Sequence, residues 1–499
     1  MKMRRYRGIS LVGFALSLGM CAAALTQEPP LPPGLETPSA AREKDSPAEP
    51  PLPPGLGGDT EVEPALPPGL GGQRSEEPAL PPGLGDEGRS EVAAPEAGQR
   101  TFRDRLPFPL HGFIDLRGGL RTQGDPAQSK TAVIGETRLQ LKSEKAWDRA
   151  VFEVTADVIA DAVMEEADFD LRQARLTWSI TDRLDLRVGR QVLTWGTGDL
   201  LFINDLFPKD WPSFFVGRDV EYLKAPSDAA KLGWYTDGVN IEFVYTPQFA
   251  ADRFITGERI SFYNPLFDRF QGADRPLTYN APSDWFSGDE FAWRLYRRLG
   301  NYEVAAYGFA GYWKSPGGQR LIPFLQAMFP RLHAYGASMR GPVGKGIFNA
   351  EIGYYDSRDD AGGVNPLINN SEFRVLLGYE REIGKNFTAG VQYYLEHMMD
   401  YAAYRNTRIF LIEPRDQDRH LFTLRLTKLL MEQNLTLSCF AYYSPSDGDA
   451  YLRPHARYKV NDYWSVELGG NIFAGESDAS FFGQFKHNTN FYGALRWSF

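Results

Sequence analysis

Cysteine is nearly missing from this chain of 499 residues. It occurs only at Cys21 and Cys439. Cys21 falls in a leading segment expected to be removed, so the mature chain has no pair for a disulfide. Long apolar runs are also missing. Beyond the amino terminus, no stretch approaches the roughly 18 residues that a membrane-spanning helix needs. That excludes an ordinary helical membrane protein. It does not exclude a β-barrel, whose apolar residues alternate with polar ones. Positive charge is not in excess either. The net charge is −10, which argues against nucleic acid as a partner.

Enzyme signatures are lacking too. The six histidines form no H-x-x-x-H pair, and there is no G-x-S-x-G elbow and no phosphate loop. No catalytic residue, metal site or cofactor is assigned, and an enzyme is not expected. The acidic run at 161–170 could offer carboxylates to Ca²⁺. It reads more simply as a solvated outer loop.

What is present begins with a basic segment, M-K-M-R-R-Y-R, then a short apolar run and Ala22-Ala23-Ala24. This is the pattern of a secretory signal peptide over 1–24. Leu18-Gly19-Met20-Cys21 has the outline of a lipobox, but Met20 stands where a small residue is wanted. Residues 25–105 form a second region. E-P-P-L-P-P-G-L starts at Glu28 and Glu49, and E-P-A-L-P-P-G-L at Glu63 and Glu77. Proline fixes φ and removes donors, so these PPGL units favour extended polyproline II with glycine joints. They carry too few apolar side chains for a core. A disordered periplasmic tail is expected, with multivalent docking to a periplasmic partner as the sharper alternative.

From residue 106 to the end, period-two alternation recurs. It is clearest in the last stretch, N-F-Y-G-A-L-R-W-S-F. Phe491, Leu495, Trp497 and Phe499 share one face, while Tyr492, Arg496 and Ser498 share the other. This stretch resembles the carboxy-terminal signal read by the outer-membrane barrel-assembly machinery. Similar segments predict 18 strands, the first near 110–122 and the sixth near 220–235. Short turns such as Asp237-Gly238 and Gly300-Asn301 alternate with longer connections. The fold expected is all-β: a transmembrane antiparallel up-and-down barrel embedded in outer-membrane lipid. Trp147, Trp178, Trp195, Trp313, Tyr443, Trp464 and Trp497 fall near strand ends, where aromatic rings settle at headgroup level.

The polar faces carry the candidate pore-lining residues. They are Arg117, Arg121, Arg138, Lys142, Arg175, Arg187, Arg294, Arg374, Arg425, Arg453, Arg457 and Arg496. Rings of cations in a lumen favour anions. Pairing with lumen acids such as Asp115, Glu153, Asp157 and Glu467 is the plainer role for them. The segment 189–216 is too apolar for a loop in water. Phe202, Phe207, Trp211, Phe214 and Phe215 are expected to fold inward and constrict the pore. The stretch 262–267 could add to this.

L-R-V-G-R-Q-V-L-T-W-G, with N-D-L-F beyond it, resembles the alginate-export-like and porin-like families of bacterial outer-membrane proteins. The resemblance implies a passive channel for a small-molecule or anionic solute. The apolar loop suggests a second possibility, uptake of hydrophobic compounds. The proline-rich tail suggests a third, a non-conducting docking barrel.

Overall fold

The computed structural model describes residues 109–320, 326–410 and 412–499. The expected signal peptide at 1–24 and tail at 25–105 lie outside the described residues.

Eighteen long strands form one sheet. In chain order they are β1 (Leu110–Arg121), β2 (Ala132–Ala146), β3 (Ala150–Asp161), β4 (Glu166–Thr181), β5 (Leu184–Val192) and β6 (Pro226–Trp234). Next come β7 (Asn240–Thr246), β8 (Glu290–Leu299), β9 (Tyr302–Tyr312), β10 (Arg331–Val343), β11 (Gly346–Ser357) and β12 (Glu372–Gly384). The last six are β13 (Phe387–Met398), β14 (Asp418–Leu430), β15 (Leu435–Ser444), β16 (Asp449–Lys459), β17 (Trp464–Gly475) and β18 (Asn490–Ser498). Each pairs antiparallel with its neighbour in sequence. β18 then pairs antiparallel with β1, from Phe113↔Ser498 to Arg121↔Asn490. The sheet is a closed barrel with no free edge.

The two faces of this wall differ. Leu116, Leu120, Phe152, Val158, Phe169 and Leu176 project outward and are exposed, as are Leu468, Phe491, Leu495 and Trp497 further along. Phe169 is 62% exposed and Leu468 64%. Water does not tolerate a continuous apolar girdle of this kind, whereas hydrocarbon requires one. The chain is a transmembrane β-barrel. Trp147, Trp178, Tyr443, Trp464 and Trp497 are exposed on it. Trp195 and Trp313, expected at the rim, are instead buried inside, because the connections after β5 and β9 turn inward.

Connections after even-numbered strands are short, as at 300–301, 344–345 and 385–386. Gly300 (φ 59°) and Asn386 (φ 54°) supply the left-handed residues that such tight turns need. Connections after odd-numbered strands are mostly long, with 193–225 and 247–289 the longest. Two are short, at 162–165 and 445–448. The acidic run at 161–170 is therefore not a loop. It is largely the start of β4, and Asp170 faces inward. The sixth strand is also shorter than expected. Residues Val220–Leu223 form a single helical turn before it.

Two outcomes follow for the wall. Phe499 exchanges two backbone hydrogen bonds with Gly112, at 3.1 and 2.9 Å. Deleting Phe499 removes the end of the closing ladder and should lower the yield of folded barrel, read as heat-modifiable migration on a gel. Leu468→Arg puts a charge on the lipid face and should cost about 2–4 kcal/mol near the midplane. Denaturant unfolding in lipid vesicles measures this, and an unchanged midpoint would show that Leu468 does not meet hydrocarbon.

Candidate functional site

The connection between β5 and β6, residues 193–225, enters the lumen. Its backbone is not helical or extended for most of its length, so its polar groups need partners from elsewhere. The wall supplies them on several sides. Arg117 on β1 donates to Gly217 O at 2.7 Å. On β2, Glu136 accepts from Arg218 at 2.7 Å, and Arg138 lies over the Tyr222 ring at 4.2 Å. Arg172 on β4 donates to Lys224 O at 3.0 Å, and Glu242 on β7 accepts from the Trp195 indole at 2.8 Å. Tyr442 on β15 donates to Leu200 O at 2.8 Å, and Arg453 on β16 to Arg218 O at 2.8 Å. Asn490 on β18 donates to Phe215 O at 3.2 Å.

The firmest anchor is Glu351 on β11, only 1% exposed. Its carboxylate accepts from the Thr197 amide and from the Gly198 amide at 2.8 Å. It also takes the Asn204 amide at 3.2 Å and the Asn204 side chain at 2.9 Å. Among the described residues, no cation is bonded to it. A carboxylate this deep is tolerated because several donors converge on it.

The apolar part of the loop is organised by a short helix, α1 (Trp211–Val216). Asp210 caps it by accepting from the Ser213 amide at 2.8 Å, and Pro212 sits in its first turn. Gly217 ends it with φ 88°. A Cβ at Gly217 would lie 2.1 Å from the Tyr492 ring, so the site admits only glycine. This geometry drives Phe214 and Phe215 onto the wall. Phe215 meets Tyr451 at 5.4 Å and Phe473 at 5.2 Å, and Phe214 meets Tyr451 at 5.8 Å. Phe207 packs edge-on to Trp195 at 5.0 Å. Phe202 and Trp211 are partly buried against the same cluster. All five apolar residues expected at a constriction thus lie in the aromatic cluster: Phe214 and Phe215 face the wall aromatics Tyr451 and Phe473, while Phe202, Phe207 and Trp211 pack on aromatics of the loop itself.

The 247–289 connection lies against this loop. Asp252 accepts from the Lys209 amide at 2.7 Å and the Trp211 indole at 3.2 Å. Burial pushes the Asp252 carboxyl above its ordinary range, and these donors and Ser315 oppose the shift. Arg253 bridges Asp210 and Asp170 at 3.2 and 2.9 Å. In the 262–267 stretch, Phe262 packs against the lumen cluster. Phe267 is exposed beneath Arg275.

The candidate pore-lining cations divide into two groups. Most are committed to acids or carbonyls. Arg117 binds Asp115 and Glu467 at 3.1 and 2.8 Å, and Arg138 binds Asp157 at 2.5 Å and Glu136 at 3.1 Å. Arg175 pairs with Glu153 at 2.6 Å, Arg294 with Glu303 at 2.7 Å and Arg374 with Glu372 at 2.5 Å. Arg121 donates to Lys130 O at 2.7 Å and lies 3.5 Å from Asp125. Arg457 is 3.7 Å from Glu467. Arg496 pairs with Asp219 of the loop and, at 3.1 Å, with Asp115, which is also its opposite number on β1. Arg425 binds Asp199 and Arg453 stacks on Phe214 at 4.6 Å. Among the described residues, Lys142 and Arg187 alone of the twelve have neither an ion pair nor a hydrogen bond. Both belong to the half of the wall near the short turns, and Arg187 stands directly opposite Lys231.

Sequence reasoning missed Glu351, Asp199, Arg172, Arg218 and Asp219. Glu351 and Arg172 sit on the inward faces of their strands, which the alternation could have revealed. The loop residues carry no such signal.

No protein-family model matches the chain, and no curated protein matches it. Solved structures do. OccD3 of Pseudomonas aeruginosa is similar at 9% identity, with 78% of this chain and 91% of that chain covered and a TM-score of 0.46. OccK11 of the same organism is similar at 11% identity, covering 78% and 95%, with a TM-score of 0.45. A loop-deletion mutant of OmpT, an outer membrane protein of Vibrio cholerae, is similar at 12% identity, covering 79% and 99%, with a TM-score of 0.39.

The Glu351 cradle has a direct test. Glu351→Ala removes the acceptor on which four donors converge and should cost on the order of 3 kcal/mol. The barrel should still migrate as a folded species. Its 193–225 loop should become a protease target, and a loop that stays as resistant as before would show that Glu351 does not hold it.

Proposed function

We propose that this chain is an outer-membrane channel for passive passage of a small anionic solute, through a lumen narrowed by the 193–225 loop. The observation that carries this is the charge of the wall beside the short turns. Lys142 and Arg187 present cations there with no ion pair among the described residues, while Lys231, across from Arg187, is itself paired with Glu242 at 2.9 Å. Uncompensated guanidinium and ammonium groups on a wet wall raise the local anion concentration. The phenyl groups of Phe214 and Phe215 pack on wall aromatics, which takes them out of a solute's reach.

The proposed location is the outer membrane, with the short turns and both ends of the barrel on the periplasmic side. An even number of strands puts the two ends together, and short turns on that side are the usual arrangement of such barrels. The proline-rich tail would then start in the periplasm.

Purified protein in a planar bilayer tests the reading. The reversal potential in a salt gradient should show anion preference. Lys142→Gln with Arg187→Gln should move that potential toward zero without unfolding the barrel. Absence of conductance, or cation preference in the wild type, would overturn the proposal.

A further inference from the structure

The loop is held by two carboxylate contacts of different character. At Glu351 the carboxylate belongs to the wall and is buried, and the loop supplies the donors. At the second contact the roles reverse. Asp199 of the loop offers its carboxylate to Arg425 of β14, at 2.5 Å from Nε and 2.7 Å from Nη2. This is the two-pronged fit of a planar carboxylate to a guanidinium. Here the side chains are 13% and 18% exposed. The guanidinium also rests on the Phe440 ring at 4.8 Å, which fixes its plane.

The turn that carries Asp199 is not relaxed. Leu200 has φ 56°, a conformation that residues with a side chain seldom adopt. The Asp199 backbone is held by one wall side chain, Gln392, which accepts from its amide at 2.8 Å and donates to its carbonyl at 2.7 Å. Beyond Arg425, across Gly390, lies Glu380. Its Oε2 is 3.4 Å from where a Cβ on Gly390 would stand. A fixed negative group on that side leaves room for one carboxylate and disfavours a polyanion.

We propose that Asp199 is a built-in stand-in for a solute carboxylate. Arg425 with Phe440 is the binding site, and a small free carboxylate displaces Asp199 and loosens the Asp199–Leu200 step, widening the lumen while Glu351 keeps Thr197, Gly198 and Asn204 seated. The exchange is feasible because an incoming carboxylate restores the two hydrogen bonds that Asp199 gives up, so the guanidinium is not left without an acceptor. This rests on the channel reading for its purpose, but the displacement itself can be measured without conduction.

Hydrogen–deuterium exchange of the full-length barrel in detergent reads the displacement. Sodium acetate should speed exchange in the peptide containing Asp199 and Leu200 several-fold over sodium chloride at equal ionic strength. Sodium phosphate in its place distinguishes a planar carboxylate site, which it should leave closed, from a site for any oxyanion. Asp199→Asn should exchange fast in chloride and gain nothing from acetate. Arg425→Gln should behave likewise. Equal rates in acetate and chloride for the wild type overturn the proposal, and no variant needs to fold for that result. Bilayer conductance separates the two readings. Acetate-dependent exchange with no current retains the latch and removes the channel. Anion current with no acetate effect removes the latch and retains the channel.

Discussion

In hydrocarbon, a backbone N–H or C=O without a partner costs several kcal/mol, so a membrane sheet must have no edge. Here the ladder between β18 and β1 meets that requirement, from Phe113↔Ser498 to Arg121↔Asn490. Closure fixes which side chains face lipid. Once Leu495 and Trp497 point outward, Arg496 must point inward, and it meets Asp115 and Asp219 there. One register thus settles both the apolar girdle and part of the charge network of the lumen.

Closure also creates an interior that something has to fill. The 193–225 loop does so, and the wall treats it as a core. Phe214, Phe215, Tyr451 and Phe473 pack as the aromatics of a soluble protein would, while Arg117, Tyr442, Arg453 and Asn490 complete the loop backbone. Buried arginines are tolerated because each has an acid, a carbonyl or a ring beside it. The same pairing removes most of the cations from any role in selecting a solute. Lys142 and Arg187 differ from the rest in having neither an ion pair nor a hydrogen bond among the described residues.

Strand positions were readable in the sequence because a two-sided wall imposes a period of two. The last strand shows this most plainly, with Phe491, Leu495 and Trp497 on one face and Arg496 on the other. Two failures share one cause. Val220 to Leu223 look like the start of a strand, yet they form a turn of helix because the chain there is crossing the lumen. Trp195 and Trp313 look like rim aromatics, yet they are interior because their connections fold back. Periodicity reports the environment of a strand and says nothing about where a connection goes.

The sequence by itself determined the barrel, its inward and outward faces, and the apolar character of the loop after β5, since each is a matter of local pattern and composition. Only the tertiary structure decided which inward charges are neutralised. Arg117 and Glu467 are 350 positions apart in the chain, and Arg425 and Asp199 are 226 apart. No local pattern relates such residues. They meet because the wall closes and the loop turns into it.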